Sequence, residues 1–130
     1  MEAFMTGATA LRRPVGTVAV RAAAMAALAL SVAFAHGIHD PGILCPIRAL
    51  TALPCPFCGG TTVFIELGSG HPVRALAANP LVFAGAIVFA LAPLGLGARW
   101  QAWGPRVRAW ILGTAIAGSG IWQLVRFGVL

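Results

Sequence analysis

Three long apolar runs, separated by polar and proline-rich stretches, organise the chain. The first, "VGTVAVRAAAMAALALSVAFA", runs from Val15 to Ala35. At about 1.5 Å of rise per helical residue it is long enough to cross a hydrocarbon core of ~30 Å. Arg21 interrupts it near its start, where a long stem can carry the guanidinium to the headgroups. The same segment also imitates a secretory signal, with Arg12 and Arg13 before it and Ala33-Phe34-Ala35 as a cleavage-site pattern. Either way, the chain after Ala35 is expected to emerge beyond the membrane. The second run opens at "NPLVFAG". Asn79 suits a helix N-cap, and Pro80 suits the first turn, where no amide donor is needed. Pro93 should kink this helix or end it. The third run begins at Trp110 and carries Gly113, Ala117, Gly118 and Gly120, a spacing that lets helices approach closely in lipid.

The pattern therefore predicts an all-α membrane protein of one domain. It has three transmembrane helices, at about 15–36, 80–97 and 110–127, and a loop rich in cysteine, proline and glycine over 37–79. Within that loop, "TTVFIEL" predicts a short helix at about 59–68, with Val63, Phe64 and Leu67 on one side, against the membrane surface or the spans. A turn through Gly68-Ser69-Gly70 comes next, then a second short helix from Pro72 toward Asn79. Glu66 and Arg74 are placed to pair across that turn.

Composition sharpens this picture. Hydrophobic residues make up 59% of the chain and charged residues 9%. A soluble domain carries about 25% charged residues, so lipid must cover what water cannot. The net charge of +6 is no nucleic-acid footprint, because the arginines punctuate apolar segments instead of clustering. They set the orientation instead. Arg12 and Arg13 flank the first span, and Arg99, Arg106 and Arg108 lie between the second and third. The long loop has only Arg48 and Arg74. The positive-inside tendency puts the N-terminus and the short arginine loop in the cytoplasm and the cysteine loop outside it. Trp100, Trp103 and Trp110 fit an aromatic belt beside the arginine loop.

All three cysteines fall in one stretch, "CPIRALTALPCPFCGGTT", as Cys45, Cys55 and Cys58. Three chemistries fit. A C-x-x-C at a helix start favours thiolate, because free amides and the helix dipole face the sulfur. That makes Cys55 and Cys58 candidates for a redox-active dithiol. By the same reasoning Cys58, beside Gly59-Gly60, is expected to be the most stabilised thiolate. Alternatively, Cys45, Cys55 and Cys58 with His39 or His71 could complete a Cys₃His zinc site; no cofactor is expected outright, and zinc is the one for which candidate ligands exist. Thirdly, outside the cytoplasm a structural disulfide from Cys45 to Cys55 or Cys58 would brace a short loop by about 2–3 kcal/mol. The rest of the chain offers little for catalysis. Glu66 has no carboxylate partner for acid/base work, there is no lysine for a phosphate loop, and no Ser/His/acid set stands out.

The linked elements resemble a bacterial membrane family catalogued as domain of unknown function 2752. Its pattern reads C-P, then T-G-L-P-C-P-x-C-G-x-T-R, then G-D, then N-P-L opening an apolar span. Cys45, Pro46, Thr51, Pro54, Cys55, Pro56, Cys58, Gly59, Thr61, Asn79 and Pro80 fall on that pattern in order. Ala52 stands where the family has glycine, Thr62 where it has arginine and His71 where it has aspartate. The resemblance implies a fold and a membrane location, but no reaction. The residues favour a non-enzymatic membrane protein with a cysteine-braced loop, its partners the lipid bilayer and another membrane protein. The alternative is a thiol oxidoreductase or metal-handling protein using the CPFC pair.

Overall fold

In a computed structural model, the backbone is described for residues 2–39 and 45–130, and side chains for residues 14–39 and 45–130. The side chains of Arg12 and Arg13, and Asp40 altogether, lie outside that description. All regular structure among the described residues is helical: α1 (Glu2–Ile38), α2 (Pro46–Thr51), α3 (Gly60–Gly68), α4 (Pro72–Ala78), α5 (Pro80–Leu91), a 3₁₀ turn (Ala92–Leu94), α6 (Leu96–Ala102) and α7 (Pro105–Arg126). The loop helices expected at 59–68 and from Pro72 form as α3 and α4. Two short helices are not foreseen by the sequence pattern: α2, directly after Cys45, and α6 in the arginine loop.

Prolines set most of these boundaries. Pro46, Pro72, Pro80 and Pro105 each open a helix, where the missing N–H costs nothing. Pro80 also acts backward. The residue before a proline is disfavoured in helical backbone, and Asn79 is extended, at φ −158° and ψ 101°. Helix α4 therefore stops at Ala78, and α5 leaves at a bend of 119°. Pro93 falls in the 3₁₀ turn that ends α5. It has no N–H to offer the Phe89 carbonyl four residues back. Arg21 of α1 replaces that donor: its Nη1 reaches Phe89 O at 3.1 Å, and its guanidinium lies over the Phe89 ring, 4.8 Å from the centroid. The arginine inside the first apolar run thus satisfies a carbonyl that a proline has orphaned.

Among the described residues, one helix is long and apolar enough to cross a membrane, over Pro14–Ile38. Helix α4 and the stretch Pro80–Leu94 pass together only as a bent pair. Helix α7 is long enough but carries Gln123 and Arg126 in its second half. The three spans expected from the sequence are therefore one clear candidate, one bent pair and one amphipathic helix. The small residues of α7 do little packing within the chain, since a Cβ on Gly113 or Gly118 would meet nothing within 4 Å.

The core is small. Val63 of α3 and Ala75 and Ala78 of α4 are buried together, with Leu67, Val82 and Phe83 packed around them. Helix α3 lies on the C-terminal half of α1, and the contact is close. A Cβ on Gly68 would collide with the Ala29 carbonyl and sit 2.8 Å from the Ala33 methyl. The side of α3 that carries Val63 and Leu67 packs on neighbouring helices.

Candidate functional site

The cysteine segment folds as two tight turns hung on a proline-rich loop. Cys45 immediately precedes α2, whose last turn is closed by Ala52 in left-handed backbone at φ 59°. A β-carbon resists that conformation by roughly 1–2 kcal/mol, which explains why glycine suits the position in the family pattern. Thr51 Oγ1 bonds back to Ile47 O at 2.6 Å and accepts from Leu53 N at 3.3 Å, steering the chain into buried Pro54. The CPFC residues then form a turn, with Cys58 N donating to Cys55 O at 2.9 Å and Cys55 N to Cys58 Sγ at 3.1 Å. Gly59 comes next at φ 82°, packed so tightly that a Cβ there would lie 2.7 Å from Arg126 Nη1 and 2.8 Å from Ala78 O. Glycine is required there both by the backbone and by the space.

Prolines strip this loop of donors but leave its carbonyls, and buried carbonyls need partners. Asn79, fully buried, supplies two: its Nδ2 donates to Pro56 O at 2.9 Å and to Cys58 O at 3.0 Å. Its Oδ1 caps α5 by accepting from Val82 N at 3.1 Å. Helix α7 supplies the rest. Ser119 Oγ donates to Pro56 O at 2.6 Å and lies 3.3 Å from Asn79 Oδ1. The last carbonyls of α4 are capped by Trp122 Nε1 on Ala77 O (3.0 Å), and by Gln123 Nε2 and Arg126 Nη1 on Ala78 O (2.9 and 2.8 Å). Gln123 Oε1 is the buried side-chain acceptor left without a partner among the described residues.

This frame brings the three sulfurs together. The Sγ atoms of Cys45, Cys55 and Cys58 all lie within 4.8 Å of one another, and the closest pair is Cys45–Cys55 at 3.4 Å. All three are free thiols, for a disulfide needs sulfurs at about 2.05 Å. The expected disulfide is therefore not formed, and the nearest partners are not the C-x-x-C pair.

The thiols differ in the opposite sense from the sequence expectation. Cys45 is lowered to about 7, first by the backbone amide of Arg48 in the opening turn of α2, then by the Cys55 thiol. Cys58 is raised to about 11, chiefly because it is buried, and next because of its contact with the Cys55 thiol. The helix-start argument is sound physics that applies to a different cysteine. The helix that matters is α2, which the sequence pattern does not announce, and Cys58 lies behind the first turn of α3, only 5% exposed.

The remaining predicted residues fall around this centre. Pro46 and Pro80 open helices, Pro56 lends its carbonyl, and Thr61 is exposed on α3. His71 is not brought to the sulfurs. It precedes α4, and its Nδ1 lies 3.4 Å from Glu66 Oε2, the carboxylate oxygen that Arg74 also approaches at 3.9 Å. The expected Glu66–Arg74 pair forms, and His71 occupies the place beside it. His39 does not join the thiol group either. The residues that sequence reasoning missed are on α7: Ser119, Trp122, Gln123 and Arg126. A polar quartet within an otherwise apolar run was the available signal.

Residues 45–92 match the family model described as a protein of unknown function, DUF2752. The resemblance read from the Cys-Pro pattern is borne out. No curated protein and no solved structure matches the chain. The DUF2752 match begins at Cys45 and ends within the 3₁₀ turn after α5, so it contains every thiol and Asn79. The α7 side chains that cap the loop lie outside it.

Proposed function

We propose that this protein is a small, non-enzymatic integral membrane protein that holds one soft metal ion, zinc for instance, on Cys45, Cys55 and Cys58. The observation that carries this reading is the mutual approach of three free sulfurs within 4.8 Å. Tetrahedral zinc with Zn–S of about 2.3 Å requires ligand sulfurs roughly 3.8 Å apart, inside the range the loop provides. The frame suits an ion, since two of the thiols come from one tight turn. Asn79 and Ser119 hold that turn's carbonyls without occupying the sulfurs. With His71 and Glu66 engaged with each other, the described residues offer three ligands and leave the fourth position to water or to a partner protein.

The membrane arrangement belongs to the same proposal. Helix α1 spans from the cytoplasmic side, α4 and α5 form a broken second crossing, and α7 completes a third. The arginine loop with its Trp100–Trp103 pair then faces the cytoplasm and the thiols lie on the extracytoplasmic side. Reduced protein in detergent, loaded with zinc and desalted, should retain one zinc per chain, and Cys45→Ser should lose it. Retention of zinc by Cys45→Ser, or none by the wild type, would remove the proposal.

A further inference from the structure

The metal reading uses all three sulfurs alike, yet they are not alike in position. Cys45 and Cys55 touch at 3.4 Å, each half-buried, while Cys58 is buried and its sulfur accepts the Cys55 amide. We infer that Cys45 and Cys55, and not the C-x-x-C pair, form a thiol–disulfide exchange couple with Cys58 as a bystander.

Several observations converge on this pairing. The sulfurs need to close from contact to about 2.05 Å, and both belong to loop positions: Cys45 precedes α2, and Cys55 lies between Pro54 and Pro56. Neither sits within a helix that would have to unwind. Cys58, by contrast, is anchored through its backbone. Its N–H is tied to Cys55 O and its carbonyl to Asn79, which is itself fixed by Val82 and Ser119. Turning Cys58 Sγ toward Cys55 would also strand the Cys55 amide it accepts. The couple therefore joins the two loop cysteines and spares the anchored one.

The exchange balances with a small disulfide, RSSR, as oxidant. Cys45 thiolate attacks one sulfur of RSSR, forming Cys45–S–S–R and releasing RS⁻. The Cys55 thiol then loses its proton and attacks the Cys45 sulfur, forming Cys45–S–S–Cys55 and expelling a second RS⁻, which takes up that proton as RSH. Two thiols are oxidised and one RSSR is reduced to two thiols. This inference shares its residues with the metal proposal but not its outcome, because a closed Cys45–Cys55 bond leaves only one thiol.

Trypsin separates the possibilities. Cleavage after Arg21, Arg48 and Arg74 puts Cys45 on one peptide, and Cys55 with Cys58 on the next. Metal-free, reduced, full-length protein in detergent is treated with glutathione disulfide, trapped by alkylation and digested. The expected product is a cross-link between the two peptides. It should also form in Cys58→Ser, whereas Cys55→Ser should stop at Cys45–glutathione. A disulfide internal to the 49–74 peptide, no disulfide at all, or a cross-link that disappears in Cys58→Ser while that variant still binds wild-type amounts of glutathione at Cys45, would overturn the inference. Wild-type mapping alone separates the first two outcomes if a variant fails to fold. Zinc retention is scored on the wild-type protein before oxidation. A wild type that binds no zinc but forms the cross-link removes the metal proposal only, and one that binds zinc but forms no cross-link removes this inference only.

Discussion

Replacing Asn79 by alanine should open the thiol loop. In the folded protein the side chain donates to Pro56 O and Cys58 O and accepts from Val82 N. Pro56 O keeps Ser119 at 2.6 Å, so it is not stranded. Cys58 O loses its partner, and a buried unpaired carbonyl costs about 1–3 kcal/mol. The cap of α5 is lost as well, for about 1 kcal/mol. Together these destabilise the loop by about 2–4 kcal/mol. At 1.4 kcal/mol per factor of ten, its opened state becomes roughly 30- to 700-fold more populated. Cys58 reports this directly, because its thiol is hidden when the loop is closed. Site-resolved mass spectrometry of Cys58 alkylation, at one pH and in reduced protein, should show a rate increase in that range. Asn79→Asp is the sharper control. It keeps an acceptor for Val82 N but turns an anionic oxygen toward two carbonyls, and should open the loop further than alanine does. If Asn79→Ala leaves the Cys58 rate within about twofold of wild type, the carbonyl network is not what holds the site.

Other perturbations probe the α2 cap, the α1–α5 contact and the thiols themselves. Ala52→Gly should raise stability by about 0.5–1 kcal/mol, seen as a higher melting temperature in detergent, because glycine relieves the left-handed backbone at φ 59°; a lower melting temperature would contradict that reading. Arg21→Leu should destabilise the packing of α1 on α5 less in a Pro93→Ala background than alone. The alanine N–H can then satisfy Phe89 O, and a double-mutant cycle should return a coupling of about 1–2 kcal/mol. In metal-free reduced protein, Cys45 should gain alkylation rate through pH about 7 and Cys58 only toward about 11. The signs for stability differ accordingly. The Cys45 contribution is present above its ordinary value of 9 and lost as pH falls through about 7, while that of Cys58 is present below 9 and lost as pH rises through about 11.

Much of the frame was readable from residue types whose preferences are local. Pro80 after Asn79 dictated both a helix end and a cap, and Gly68-Ser69-Gly70 dictated the turn between α3 and α4. The clustering of the three sulfurs could be suspected from their spacing, but which two would touch could not. That depends on α2, six residues long, whose formation owes more to Pro46 and to Ala52 accepting a strained conformation than to any hydrophobic period. Which thiol is favoured as an anion inverted for the same reason. The support from α7 was hidden for a different one. Ser119 and Gln123 are ordinary polar interruptions until the proline-rich loop, 63 residues before Ser119, is seen to present carbonyls without donors. Arg21 reads in the sequence as a snorkelling residue, whereas its partner is a carbonyl orphaned by Pro93, a relation that only the packing of α1 on α5 reveals.

Three thiols that converge on one metal ion leave a direct spectroscopic signature. X-ray absorption at the zinc edge, on zinc-loaded wild-type protein after desalting, measures the ligand set without a variant. The expected result is a shell of three sulfurs at about 2.3 Å with one lighter atom completing it. A first shell of nitrogen and oxygen alone, or a single sulfur, would contradict it.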